Sequence, residues 1–114
     1  MVAITVAAFE DLVTEALADI PEGLRGRIDN VAVLVDAASP PGALFGLYEG
    51  VPLTERLNGY SGVAPDRITV FMGTLCAAAD TVEDLARLVR TTVIHEIGHH
   101  FGIDDERLDE LGWA

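Results

Sequence analysis

The stretch "VIHEIGHHFGIDDERLDELGWA", Val93 to Ala114, carries the reading of the whole chain. It contains H-E-I-G-H, two histidines four residues apart with a glutamate beside the first. On an α-helix, residues four apart lie about 40° apart around the axis and about 6 Å along it, so His95 and His99 share one face. Neutral imidazoles so placed can chelate one ion, and their donor type suits Zn²⁺. Glu96 is turned about 100° from His95, close enough to contact a water beside the ion rather than the ion itself, as a general base must be. Both histidines fall in the last two turns of the helix, where the negative end of the helix dipole favours a cation. The competing reading is a pair of packed or surface histidines next to an ordinary helical glutamate. It explains none of this spacing.

Upstream, Val82, Leu85, Ala86, Val89, Val93 and Ile97 form an apolar stripe running into the histidine segment, so one long helix is expected from about Asp80. Asp80 with Glu83 resembles a capping box, and Thr81 is the other possible cap. Downstream, Gly102 supplies a left-handed stop and lets the chain turn back. A residue three places on can then face the ion, which makes Asp105 the expected third ligand. Asp104 is expected to cap a last short helix to Leu111, with Glu106 and Glu110 as alternative ligands.

Further upstream the signals are local. Thr5 can cap a first helix whose apolar positions are Val6, Phe9, Val13, Leu17 and Ile20, stopped by Pro21 and Gly23. "NVAVLVD" (Asn30 to Asp36) and "RITVFM" (Arg67 to Met72) read as short buried strands. "ALFGLYEG" (Ala43 to Gly50), flanked by Pro and Gly, suits an edge strand. Helix, three strands, long helix and short helix together read as α+β. With no repeat or linker-like tract, residues 1–114 are expected to form one domain.

Composition narrows the function classes. Seven arginines and no lysine face nineteen acidic residues, for a formal net charge of −12. That field repels phosphate backbones, which argues against nucleic-acid binding, and attracts cations and basic peptides. Cys76 stands alone and reads as a buried structural thiol. The N-terminal segment has no basic opening or unbroken apolar run, and no stretch approaches a membrane span, so the expected location is cytoplasmic, with no membrane partner. Nothing in the sequence sets the oligomeric state.

Read from His95, the sequence fits H-E-x-x-H-x-x-G-x-x-D, with Asp105 where metzincin metalloproteases carry a third histidine. The motif resembles the zincin superfamily, and in particular the small bacterial zincin-like metallopeptidases sometimes called minimal metalloproteases. "GLYEGVPLTER" (Gly46 to Arg56), "RITVF" and "HEIGHHFGIDDERL" resemble segments of that family in the same order. The resemblance implies a compact zincin-like domain, with a small mixed sheet of three to four strands and the metal-bearing helix packed against it. It also implies a zinc-dependent peptidase acting on a peptide or protein substrate.

The chain departs from larger zincins in having no methionine after the motif, since Met1 and Met72 both precede it, so the methionine turn of metzincins is absent. Little chain remains for a second subdomain, and a shallow cleft is expected. Tyr48, Tyr60 and His100 are the candidates for stabilising an oxyanion or for orienting Glu96. A non-catalytic zinc-binding structural or interaction module is the alternative function.

Overall fold

Rows of residues four apart organise the long helix. Leu85, Val89, Val93 and Ile97 form a fully or nearly fully buried row; Thr92, Glu96 and His100 form a second buried row beside it. Thr91, His95 and His99 make a third row, only half-buried. The first row packs on a neighbouring helix, the second faces the sheet and the third opens onto a cleft. Each large apolar side chain of the first row contributes roughly 1.5–3 kcal/mol by leaving water.

The structure is a computed structural model that describes residues 1–56 and 65–111. In order, the described elements are α1 (Val6–Ala18), α2 (Glu22–Arg25), β1 (Val31–Asp36), β2 (Gly46–Glu49), a single 3₁₀ turn (Leu53–Glu55), β3 (Asp66–Phe71), α3 (Met72–Ala78), α4 (Val82–His100) and α5 (Asp105–Leu111). The three strands form one mixed sheet in the order β1-β3-β2. β3 is central, parallel to β1 with Val33 opposite Ile68, and antiparallel to β2 with Tyr48 opposite Ile68. The helices α1 and α4 lie on the face to which Val31, Val33, Val35, Ile68 and Val70 point, and Phe9, Val13, Ala16 and Ile20 complete that core. The architecture is α+β, with β2 an edge strand as its flanking Pro and Gly residues predict.

Several expectations need correcting. The second apolar run gives strand only to Phe71, and Met72 starts α3, a helix concealed by Gly73, a residue poorly suited to helix interiors. Gly73 is instead required by crowding, because a β-carbon there would fall 2.9 Å from the carbonyl oxygens of Ala37 and Ala38. The one-turn helix α2 follows Pro21, where the sequence predicts only an ending. Val6 and Val82 open their helices at 47% and 50% exposure and do not join the core, and Ala16 takes a place in α1's buried stripe.

Thr81, not Asp80, caps α4: its hydroxyl accepts the Asp84 N–H at 3.0 Å. Thr81→Ala is therefore expected to lower stability by about 1 kcal/mol, roughly 4 °C in Tm, with Asp80→Ala nearly silent. Thermal melts of the two variants check this.

Candidate metal centre

The last two turns of α4 deliver His95 and His99 to the cleft, and the reversal after them delivers Asp105. Gly102 makes that reversal at φ 87°, a left-handed conformation that suits glycine, and the Ile103 N–H bonds back to the Gly98 carbonyl at 2.9 Å. Asp104 then caps α5, accepting the Arg107 N–H at 2.9 Å, so its neighbour Asp105 opens the helix facing α4. The seat of α5 is Leu108, fully buried. A β-carbon at Gly98 would fall 2.5 Å from Leu108 Cδ2. The glycine inside H-E-I-G-H is thus the socket for the helix that carries Asp105.

Three ligand atoms converge. His95 Nε2 lies 3.2 Å from His99 Nε2, and Asp105 Oδ1 lies 3.2 Å from the first and 3.0 Å from the second. The edge of a zinc tetrahedron with nitrogen and oxygen ligands is about 3.3 Å, so this triangle matches one face of such a site. The chemistry of the donors points the same way. His99 Nδ1–H donates to the Ile103 carbonyl at 3.0 Å, which leaves a lone pair on its Nε2, facing a carboxylate and a second imidazole nitrogen. So electron-rich a triangle fits a cation. Among the described residues, His95, His99 and Asp105 are the group placed to hold a metal ion. Glu106 stays exposed outside it, and Glu110 pairs with Arg107 at 3.0 Å.

Glu96 lies in the buried row beside the triangle, 7% exposed, and lines the same cleft. Burial pushes its carboxyl above the ordinary range; His95 and His99 pull against that, and Asp105 adds to it. A carboxylate so placed is a stronger proton acceptor. The cleft itself, about 750 Å³, runs between α4 and β2. Gly46 lies against α4 there, where a β-carbon would fall 2.8 Å from Thr92 Cγ2 and 3.2 Å from Glu96 Cγ.

Behind the site lies a polar network that sequence reasoning missed. Asp66, 2% exposed, stands on β3 in line with Ile68 and Val70. Its Oδ2 accepts from the Tyr48 hydroxyl and from His100 Nδ1–H at 2.9 Å, and pairs with Arg56 Nη2 at 2.9 Å; its Oδ1 accepts the Val51 N–H at 3.1 Å. Burial alone would raise this carboxyl, but the hydrogen bonds from Tyr48, His100 and Val51, with the Arg56 charge, outweigh it and hold the pKa below 3.8. Had the second strand been extended one residue back from Arg67, the two-residue period through Ile68 and Val70 would have put Asp66 inside.

The network settles how His100 is used. Its Nδ1 serves Asp66, and its Nε2 accepts the Asp29 N–H at 3.2 Å, so both ring nitrogens are engaged away from Glu96. Tyr48 lines the cleft, but its hydroxyl proton goes to Asp66. Tyr60, the other tyrosine candidate, lies outside the described residues. Cys76 is buried, and burial raises its thiol pKa.

Comparison with known proteins places this arrangement. A family model described as zincin-like metallopeptidase matches residues 27–113, which includes the whole sheet, α4, α5 and every residue of the triangle. No curated protein matches the chain significantly. The match spans about three quarters of the sequence, and the chain belongs to the zincin-like metallopeptidase family.

Proposed function

We propose that residues 1–114 act as a single minimal zincin-like domain that hydrolyses peptide bonds with zinc held by His95, His99 and Asp105. The observation that carries this reading is the triangle of ligand atoms, 3.0–3.2 Å on each side, on the wall of a cleft that Glu96 also lines. Zinc bound there supplies a Lewis acid for the substrate carbonyl and an acidified water. Glu96 takes the proton of the attacking water and returns it to the leaving amine. The edge strand β2 offers backbone groups on which an extended substrate can add as a further strand. Asp105 contributes a negative charge that a third imidazole would not, which makes the site a weaker water activator than an all-histidine one.

A second reading has its own support. Two ligands stand on α4 and the third on α5, so zinc would also tie the two helices together in a non-catalytic structural or interaction module. Burial of a carboxylate beside the ligands is costly and has no use in that module, which favours the hydrolase.

Protein purified without a nickel column is expected to carry about one zinc per chain by elemental analysis and to cleave members of a peptide library. Removing the metal with EDTA should stop cleavage, and added zinc should restore it. A sharp fall in Tm on chelation, with no peptide cut by the zinc-loaded protein, would establish the structural module instead. Among the described residues no helix is long and apolar enough to cross a membrane.

A further inference from the structure

We propose that the cleft selects an extended peptide with a basic residue on the N-terminal side of the cleaved bond and a large apolar residue on its C-terminal side. This rests on the peptidase reading above and adds the substrate class to it.

The inference comes from the two ends of the cleft. β2 and α4 run in the same direction along it: Gly46 lies against Thr92 and Glu96, and two residues on, the Tyr48 ring centroid is 6.4 Å from that of His99 and 6.2 Å from that of His100. Leu44 and Phe45 precede Gly46 and so line the cleft toward Leu88, on the N-terminal side of the ligands. They are 44% and 37% exposed, two large apolar side chains adjoining at a cleft mouth. At the other end Thr54 packs on Gly102, and their chain neighbours Glu55, Ile103 and Asp104 line the cleft. Glu55 and Asp104 are both exposed carboxylates there. Among the described lining residues none is Lys or Arg, and the nearby Arg107 side chain is drawn to Glu110. The cleft is therefore apolar at one end and anionic at the other, with the ligand triangle between.

Strand direction converts this polarity into an order of residues. β2 pairs with β3 on one side and is an edge of the sheet on the other. A peptide adding antiparallel to β2 makes the better ladder, and it runs opposite to β2, from the anionic end to the apolar end. Residues before the cleaved bond then meet Glu55 and Asp104, and residues after it meet Leu44, Phe45 and Leu88. The net charge of −12 further raises the local concentration of basic peptides.

The test uses the zinc-loaded full chain and one peptide scaffold in which the residue before the bond is Arg, Ala or Glu and the residue after it is Leu, Ala or Asp. The Arg–Leu peptide is expected to have kcat/KM at least about tenfold above the Glu–Leu and Arg–Asp peptides. Glu55→Arg, at an exposed position, should erase the Arg-over-Glu preference and keep the preference for Leu; Phe45→Ala should do the reverse. Binding of the same labelled peptides to Glu96→Gln supplies a readout independent of turnover. Equal cleavage or binding of the Arg–Leu and Glu–Leu peptides overturns the inference, as does a preference that Glu55→Arg leaves intact. Selective binding without any cleavage by the parent protein would leave the inference standing and end the peptidase reading. Neither binding nor cleavage would end both.

Discussion

Glu96→Ala is expected to lower peptide cleavage by about 10²–10⁴-fold while zinc content stays at that of the parent protein. The two readouts separate because the atoms placed to hold an ion belong to His95, His99 and Asp105, and Glu96 stands beside them in the neighbouring helical row. Its side chain also packs near Gly46 and Thr92, so alanine leaves a small void. Glu96→Gln keeps the volume and removes only the proton acceptor, and it should be as inactive. An undiminished cleavage rate in both variants, measured at equal zinc loading, would rule out this residue as the base and with it the proposed mechanism.

The second large effect is on stability. Asp66→Ala is expected to cost about 3–5 kcal/mol, because it removes one of the two carboxylates on the buried Arg56 guanidinium, which keeps Asp29, and takes the Asp66 acceptor from the Tyr48 hydroxyl, the His100 Nδ1–H and the Val51 N–H. At about 4 °C per kcal/mol that is a fall of roughly 12–20 °C in Tm. Acid should reproduce part of the loss. The folded carboxyl sits below its ordinary pKa, so its contribution is complete above the unfolded value of about 3.9 and disappears as pH falls through the lower folded value. Melts of parent and variant should therefore be farthest apart at neutral pH, and the gap should narrow as pH falls below about 4; a gap of the same size at every pH would show that Asp66 acts through packing rather than charge.

The sequence reading and the structure agree where local geometry decides. His95 and His99 share a row because α-helices repeat every 3.6 residues, and Gly102 reverses the chain because its φ is open to glycine. Asp104 and Asp105 look alike in sequence, but a cap must precede its helix, and the next residue is then turned toward α4. What was not legible depends on partners distant in the chain. His100 looks like a third member of the histidine cluster, and only the sheet decides that its row faces inward, toward an aspartate 34 positions earlier. Asp66 in turn looks like loop polarity after Pro65 until β3 is known to begin at it. The helix α3 was hidden because Met72 and Gly73 read as the end of a strand, and what holds that glycine there is the crowding of carbonyls from a segment more than thirty residues away.

The seating of Leu108 against Gly98 has a thermodynamic consequence. Asp105 is held toward His95 and His99 by one short helix, and that helix, among the described residues, by one buried side chain, so opening of α5 would also carry the proposed third ligand away. With zinc bound as proposed, linkage requires that the ion protect the α5 amides from hydrogen exchange by the free energy that it gains from Asp105. The affinity of the proposed centre would then be tunable at position 108, outside the ligand triangle, by changing how often α5 lifts.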